Sequence, residues 1–239
     1  MKTSRLAIGL LLGAALTLLP RGSPAADPTG VPGISGSRHD FTSNTNYWIA
    51  GATNTWVKFN NMCGVCHTIH HANSDRLAPL WVHDSTVQTF TPYSSPTLNA
   101  SVGNPGGVSR ACLSCHDGSV AINSIDGVVV GSTEVKIPTT STAAIGAGGD
   151  LTTTHPIGFT YDTALVTADG YLNEPSSATV FGSGGKTIDQ FMLIGGKLEC
   201  ASCHDIHRQK GNSMNSGVYT KVGGAGSRPS ELCLTCHKK

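Results

Sequence analysis

The chain of 239 residues carries 16 basic and 15 acidic side chains, so charged residues make up only 13% of it and its formal net charge is +1. An export segment at the N-terminus would take Lys2, Arg5 and Arg21 with it and no acid. That leaves thirteen bases against fifteen acids, a balance that gives nucleic acid no electrostatic reason to bind. With 29 glycines, 12 prolines and no long 3.6-residue apolar period outside the N-terminal export segment, mostly irregular structure is expected rather than a helical bundle.

Residues 1–26 read as a signal peptide: Lys2 and Arg5, an apolar run from Leu6 to Leu19, then Ser23, Ala25 and Ala26, with cleavage expected after Ala25 or Ala26. Pro20 breaks the run, which is short for a membrane span, and no later stretch is long enough to cross a bilayer. The mature chain is therefore expected to leave the cytoplasm without a membrane span, as one domain over residues 27–239.

The sequence is organised by Cys-x-x-Cys-His, which occurs four times, at Cys63–His67, Cys112–His116, Cys200–His204 and Cys233–His237, and uses every cysteine. This is the attachment signature of c-type haem. Two thiols one helical turn apart can both form thioethers to one edge of a porphyrin, and the following imidazole supplies the proximal ligand to the iron. Four disulfides or zinc ribbons would also use eight cysteines. Neither explains why His67, His116, His204 and His237 each follow the second cysteine of their motif.

Between the motifs, short strand-like runs occur over Gly127 to Pro138 and near Ala164 to Tyr171. The expected architecture is a mostly irregular multihaem cytochrome c, with short helices at the motifs, a few short strands and a core formed by four stacked haems in place of side chains. A faint duplication suggests two di-haem units, about 27–125 and 195–239. The first motif of each is followed by a further histidine, His70 or His207, and the second begins Cys-Leu-x-Cys-His. The Gly/Ser/Thr-rich stretch between the units, from Ala121 to Leu198, is expected to be one excursion over the surface.

Six of the ten histidines, His39, His70, His71, His83, His155 and His207, remain to occupy the distal sides of four irons. Bis-histidine ligation is favoured over methionine, since Met62 abuts Cys63 and only Met192 and Met214 otherwise survive processing. His70 and His207 stand three residues beyond a proximal histidine. Two axial ligands lie on opposite faces of a porphyrin, so neither can share a haem with its neighbour. Each must reach another iron, and the haems must lie close together. His39, His71, His83 and His155 compete for the remaining places; His155 is held on an extended segment by Pro156.

Several segments, in order, resemble the extracellular tetrahaem cytochromes of the OmcE type: Ser37-Arg38-His39-Asp40-Phe41, Cys66-His67-Thr68-Ile69-His70, Pro79-Leu80-Trp81, Tyr93-Ser94-Ser95, Cys115-His116-Asp117-Gly118, His155-Pro156-Ile157-Gly158, Cys203-His204-Asp205-Ile206-His207 and Leu232-Cys233-Leu234-Thr235-Cys236-His237. The likeness spans nearly the whole mature chain. It departs at Ile69, where the family usually has proline, and at His71, where it usually has asparagine. The resemblance implies distal roles for His39, His70, His155 and His207, leaves His83 in reserve, and implies head-to-tail polymerisation into filaments in which one ligand crosses between subunits. His39, on a Gly/Ser/Asn/Thr-rich arm, is the expected crossing ligand, the alternative being that it folds back onto a haem of its own chain.

The function expected is extracellular electron transfer through four covalently bound haems, with redox-partner cytochromes or external acceptors, at the cell surface or beyond. A monomeric periplasmic shuttle would share every haem feature. A multihaem reductase would need an iron with an open distal side, against which the surplus of histidines argues, so no enzyme is expected.

Overall fold

The computed structural model describes residues 34, 37, 39–42, 61–73, 78–207, 221–222 and 230–238. The expected signal peptide lies outside them, and among them no helix is long and apolar enough to cross a membrane. Regular structure is sparse, as the glycine and proline content leads one to expect. Among the described residues there are five short α-helices: α1 (Gly107–His116), α2 (Thr163–Asp169), α3 (Ile188–Phe191), α4 (Cys200–Cys203) and α5 (Glu231–Cys236). Two antiparallel pairs of two-residue strands accompany them. β1 (Ser124–Ile125) pairs with β2 (Val128–Val129), and β3 (Phe159–Thr160) pairs with β4 (Lys197–Leu198).

Three of the four motifs lie on helices, within α1, α4 and α5. The first forms a single turn instead. His67 N–H donates to the Cys63 carbonyl at 2.8 Å, while the Asn61 side chain accepts from Cys63 N–H at 2.9 Å and closes the turn from its N-terminal side. After α1 the chain must bend sharply at Gly118. Its φ is +73°, and a Cβ there would lie 2.8 Å from the Ile137 carbonyl oxygen, so glycine is required twice over.

Two expectations from sequence need correction. The run near Ala164 to Tyr171, read as strand, is helix α2. Asp162 caps it by accepting from Leu165 N–H at 2.9 Å, and Gly170 at φ +76° ends it in the left-handed conformation. The stretch from Ala121 to Leu198, read as a surface excursion, supplies the largest side-chain core among the described residues. Phe159, Tyr161, Leu165, Val180, Ile188, Met192, Leu193 and Leu198 are buried together, and Leu232 and Cys236 of α5 pack against them. Smaller clusters lie around Trp81 with Ala111 and around Phe90, Leu113 and Leu151.

Candidate haem sites

Each motif is anchored by a segment distant in sequence. The first is laid against Pro79–Val82, where Thr68 N–H donates to Leu80 O at 2.9 Å and Val82 N–H to Cys66 O at 2.9 Å, in a bridge that sets His67 opposite Trp81. The second, on α1, is held by Thr86, whose N–H donates to Ser114 Oγ at 3.0 Å and whose hydroxyl donates to buried Asp117 at 2.5 Å. Arg110 completes the clasp by donating to the Thr86 carbonyl at 2.6 Å. The fourth is pinned by Asn173, whose side-chain amide donates to Leu234 O at 3.1 Å and Thr235 O at 3.0 Å. Tyr161 braces that loop through its hydroxyl, which donates to Asn173 O at 2.7 Å.

The eight cysteines form no disulfide. Burial pushes the thiols of Cys66 and Cys236 up to about 12 and that of Cys203 to about 11, with neighbouring cysteine charges adding to each. Burial likewise raises Cys115. Cys200 moves the other way because Cys112 hydrogen-bonds to it; the same bond is the largest cause raising Cys112. Cys66 acts on Cys115, Cys112 on Cys200, and Cys203 on Cys236, so neighbouring motifs approach one another in chain order. In the haem-free chain the proton stays on most of these sulfurs, and Cys200 is the most thiolate-like among those shifted.

The histidines carry the decisive geometry. His39 faces His116 with ring centroids 6.1 Å apart, His67 faces His207 at 6.3 Å, and His155 faces His237 at 6.3 Å. A metal–imidazole bond is about 2 Å long and the ligating nitrogen lies about 1 Å from its ring centre, so two imidazoles trans on one metal have centroids about 6 Å apart. The partners also leave the correct nitrogen available. Nδ1 of His67 lies 2.7 Å from Pro79 O, that of His116 2.7 Å from Ala143 O and that of His155 2.9 Å from Pro156 O. An Nδ1–H donated to a carbonyl fixes the tautomer and turns the Nε2 lone pair outward, as metal-binding histidines require. In His207, Nδ1 faces the Asp205 carboxylate at 3.7 Å, which raises its proton affinity above the usual histidine value.

His39 is enclosed. Burial, followed by the nearby rings of His116, His207 and His204, holds its pKa down to about 4. Burial and then His116 lower that of His204. His70 and His71 are exposed. Met192 is buried in the C-terminal core, which removes it from consideration as a ligand.

His83, held in reserve as a ligand from sequence, lacks a free nitrogen. It is fully buried, with Nδ1 2.8 Å from Asp84 O and Nε2 3.0 Å from Ala121 O and 3.4 Å from Cys115 Sγ. Its burial is the largest influence on its pKa and lowers it. The neutral ring can donate to only one of these carbonyls, but both nitrogens face backbone oxygen in a fully buried position against Trp81 and Cys115 of α1. Nothing in the local sequence signals this, because Ala121 reaches it from 38 residues away.

The residues therefore fit c-type haem: paired thiols, a proximal imidazole beside each pair, and three proximal rings already opposed by a second imidazole at the required spacing. Large apolar side chains left exposed beside two of these pairs accord with surface that a macrocycle would cover. Ile69 is 79% and Leu80 52% exposed next to the first motif, and Tyr171 is exposed where its carbonyl accepts from Lys238 N–H at 2.7 Å.

Residues 194–239 match the model of the doubled CXXCH motif family. That stretch holds the third and fourth motifs, and it marks a multihaem, c-type cytochrome-like region with covalently attached haem. Comparison with curated proteins gives no match.

Proposed function

We propose that the protein is an exported electron-transfer cytochrome with four covalently bound haems, each closed on both axial sides by histidine. The observation that carries this reading is the set of three opposed histidine pairs at 6.1 to 6.3 Å. Cys63 and Cys66, Cys112 and Cys115, Cys200 and Cys203, and Cys233 and Cys236 would hold the four groups. Each haem supplies a one-electron centre. The chain's own part is to fix each imidazole through Nδ1, to keep both axial sides occupied, and so to leave no position for a substrate.

The pairs suggest which histidine serves which site: His207 opposes His67, His39 opposes His116, and His155 opposes His237. His204 then lacks a partner, and His70 is the distal candidate left. The two segments carrying these residues fold alike. His70 N–H bonds back to Thr68 Oγ1 at 3.4 Å, as His207 N–H does to Asp205 Oδ1 at 3.0 Å. If one three-residue step carries His207 from the third site to the first, the matching step carries His70 from the first to the third. The arrangement is reciprocal.

The fold-back position of His39 is supported by its spacing to His116 of the same chain. Assembly into a head-to-tail filament at the cell surface, exchanging electrons with partner cytochromes or external acceptors, rests on the family resemblance. Electron microscopy of the secreted protein tests it directly: monomers alone would leave the periplasmic shuttle as the better reading.

The haem assignment is tested by intact mass and by spectroscopy. The mature protein should weigh the chain plus four haems and be low-spin throughout, and His207→Ala should create one high-spin iron at the Cys63–Cys66 site. An effect confined to the Cys200–Cys203 site would contradict the pairing. Rapid binding of carbon monoxide or nitrite to the unmodified reduced protein would favour a reductase.

A further inference from the structure

A buried carboxylate stands where the second and third motifs meet, at the N-cap of α4. Helix α1 packs against α4, and Glu199, the residue before Cys200, is only 5% exposed at that contact. Ser109 of α1 is fully buried there and links the two helices. Its hydroxyl donates to Glu199 Oε2 and accepts from Cys200 N–H at 2.9 Å. Ser202, also fully buried, receives Glu199 N–H on its hydroxyl at 2.8 Å. The carboxylate thus accepts only from neutral groups, the Ser109 hydroxyl and the Ser202 backbone N–H of the capping box, and no cation pairs with it among the described ion pairs.

Two haem-bearing sulfurs share this spot. Cys200 follows Glu199 directly and rests its N–H on Ser109, which stands one turn before Cys112 on α1. A negative charge that reaches the sulfur also reaches the group bound to it. In an interior of low dielectric such a charge favours the oxidised, more positive state of a haem over the reduced one.

We infer that Glu199 is a potential-setting residue, a buried anion between Cys112 and Cys200 that holds the second and third haems at lower reduction potentials than they would otherwise have. The inference rests on the four-haem reading above. Its geometric basis, the Ser109–Glu199 link between α1 and α4, is independent of how the distal histidines are paired.

Two variants of the full, matured protein separate electrostatics from packing. Glu199→Gln keeps an oxygen to accept from Ser109 but removes the charge, so two of the four potentials should rise while the other two stay. Ser109→Ala keeps the charge and removes a donor that partly neutralises it, so the same two potentials should fall. Potentials are read by spectroelectrochemistry, and peptide mass spectrometry confirms haem on Cys112 and Cys200. Shifts of the same sign in both variants would reduce Glu199 to a packing residue and overturn the inference. Unmoved potentials in a fully loaded protein would overturn it alone, whereas absence of haem from either cysteine in the unmodified protein would overturn it together with the four-haem reading. Should Glu199→Gln fail to mature, Ser109→Ala decides by itself.

Discussion

Residues 159–198 and the first motif with its supporting loop are held together by different means. The former bury Phe159, Tyr161, Leu165, Ile188 and Met192 against one another in a cluster of side chains, with Cys203 and Cys236 at its edge. Around Cys63–His67 the apolar contact is slight, Trp81 with Ala111 and the edges of Cys66 and Ala78, and backbone bridges to Leu80 and Val82 do most of the holding. A side-chain core can form before haem arrives; a set of bridges around exposed Ile69 and Leu80 gains its apolar partner only with the macrocycle. The two haem environments of one chain thus depend on their cofactor to different degrees.

The sharpest way to break this comparison is to remove haem altogether. In a chain with all eight cysteines changed to alanine, amide exchange around residues 63–82 should lose nearly all protection, while amides near Ile188 and Met192 keep theirs. Equal loss in both regions would mean that the C-terminal core also needs haem. A smaller but still large effect is expected from Ile188→Ala, which should cost about 2–5 kcal/mol in urea unfolding because Ile188 is fully buried. A cost below about 1 kcal/mol would show that the core relaxes around the lost methyl groups.

Acid should act next, at the second motif, where His39 faces His116. Burial holds the His39 pKa down to about 4 in the folded haem-free chain, against about 6.5 for an ordinary histidine, so below about 6.5 the unfolded chain takes up more protons. Stability of the haem-free protein should therefore fall as pH drops from 6.5 towards 4, and His39→Phe should flatten that fall. An unchanged slope in the variant would remove His39 as the cause. The mildest expected effect is Asn173→Ala, which strips two amide donations from the α5 carbonyls; each is worth about 1 kcal/mol, so a loss of about 1–2 kcal/mol confined to the C-terminal region is expected by differential exchange.

The haem motifs were legible in the sequence because covalent attachment dictates residue types and spacing within five positions. The same chemistry led to the expectation that His70 and His207 face irons other than the ones beside them; the structure sets the ring of His207 6.3 Å from that of His67 and leaves His70 exposed. The C-terminal core was not, because its apolar residues are diluted by glycine and serine and become contiguous only once β3 meets β4. The punctuation of α2, Asp162 before it and Gly170 after it, was present to be read but was overridden by a strand-like composition. His83 and Ser109 were beyond reach: their partners come from Ala121 and Glu199, and no local pattern connects them.

If the chain is exported and ligated as proposed, the facing of His67 and His207 would also set an order of events during export. A chain that crosses a membrane from its N-terminus delivers His39 before His116, so the second site finds its distal ring as soon as its motif emerges. The first site must wait for nearly the whole chain. A haem attached early to Cys63 and Cys66 would spend that interval with one axial side uncovered, reactive towards peroxide or carbon monoxide in a way the finished protein is not. Maturation speed, rather than the final fold, would then determine how much of the protein escapes oxidative damage.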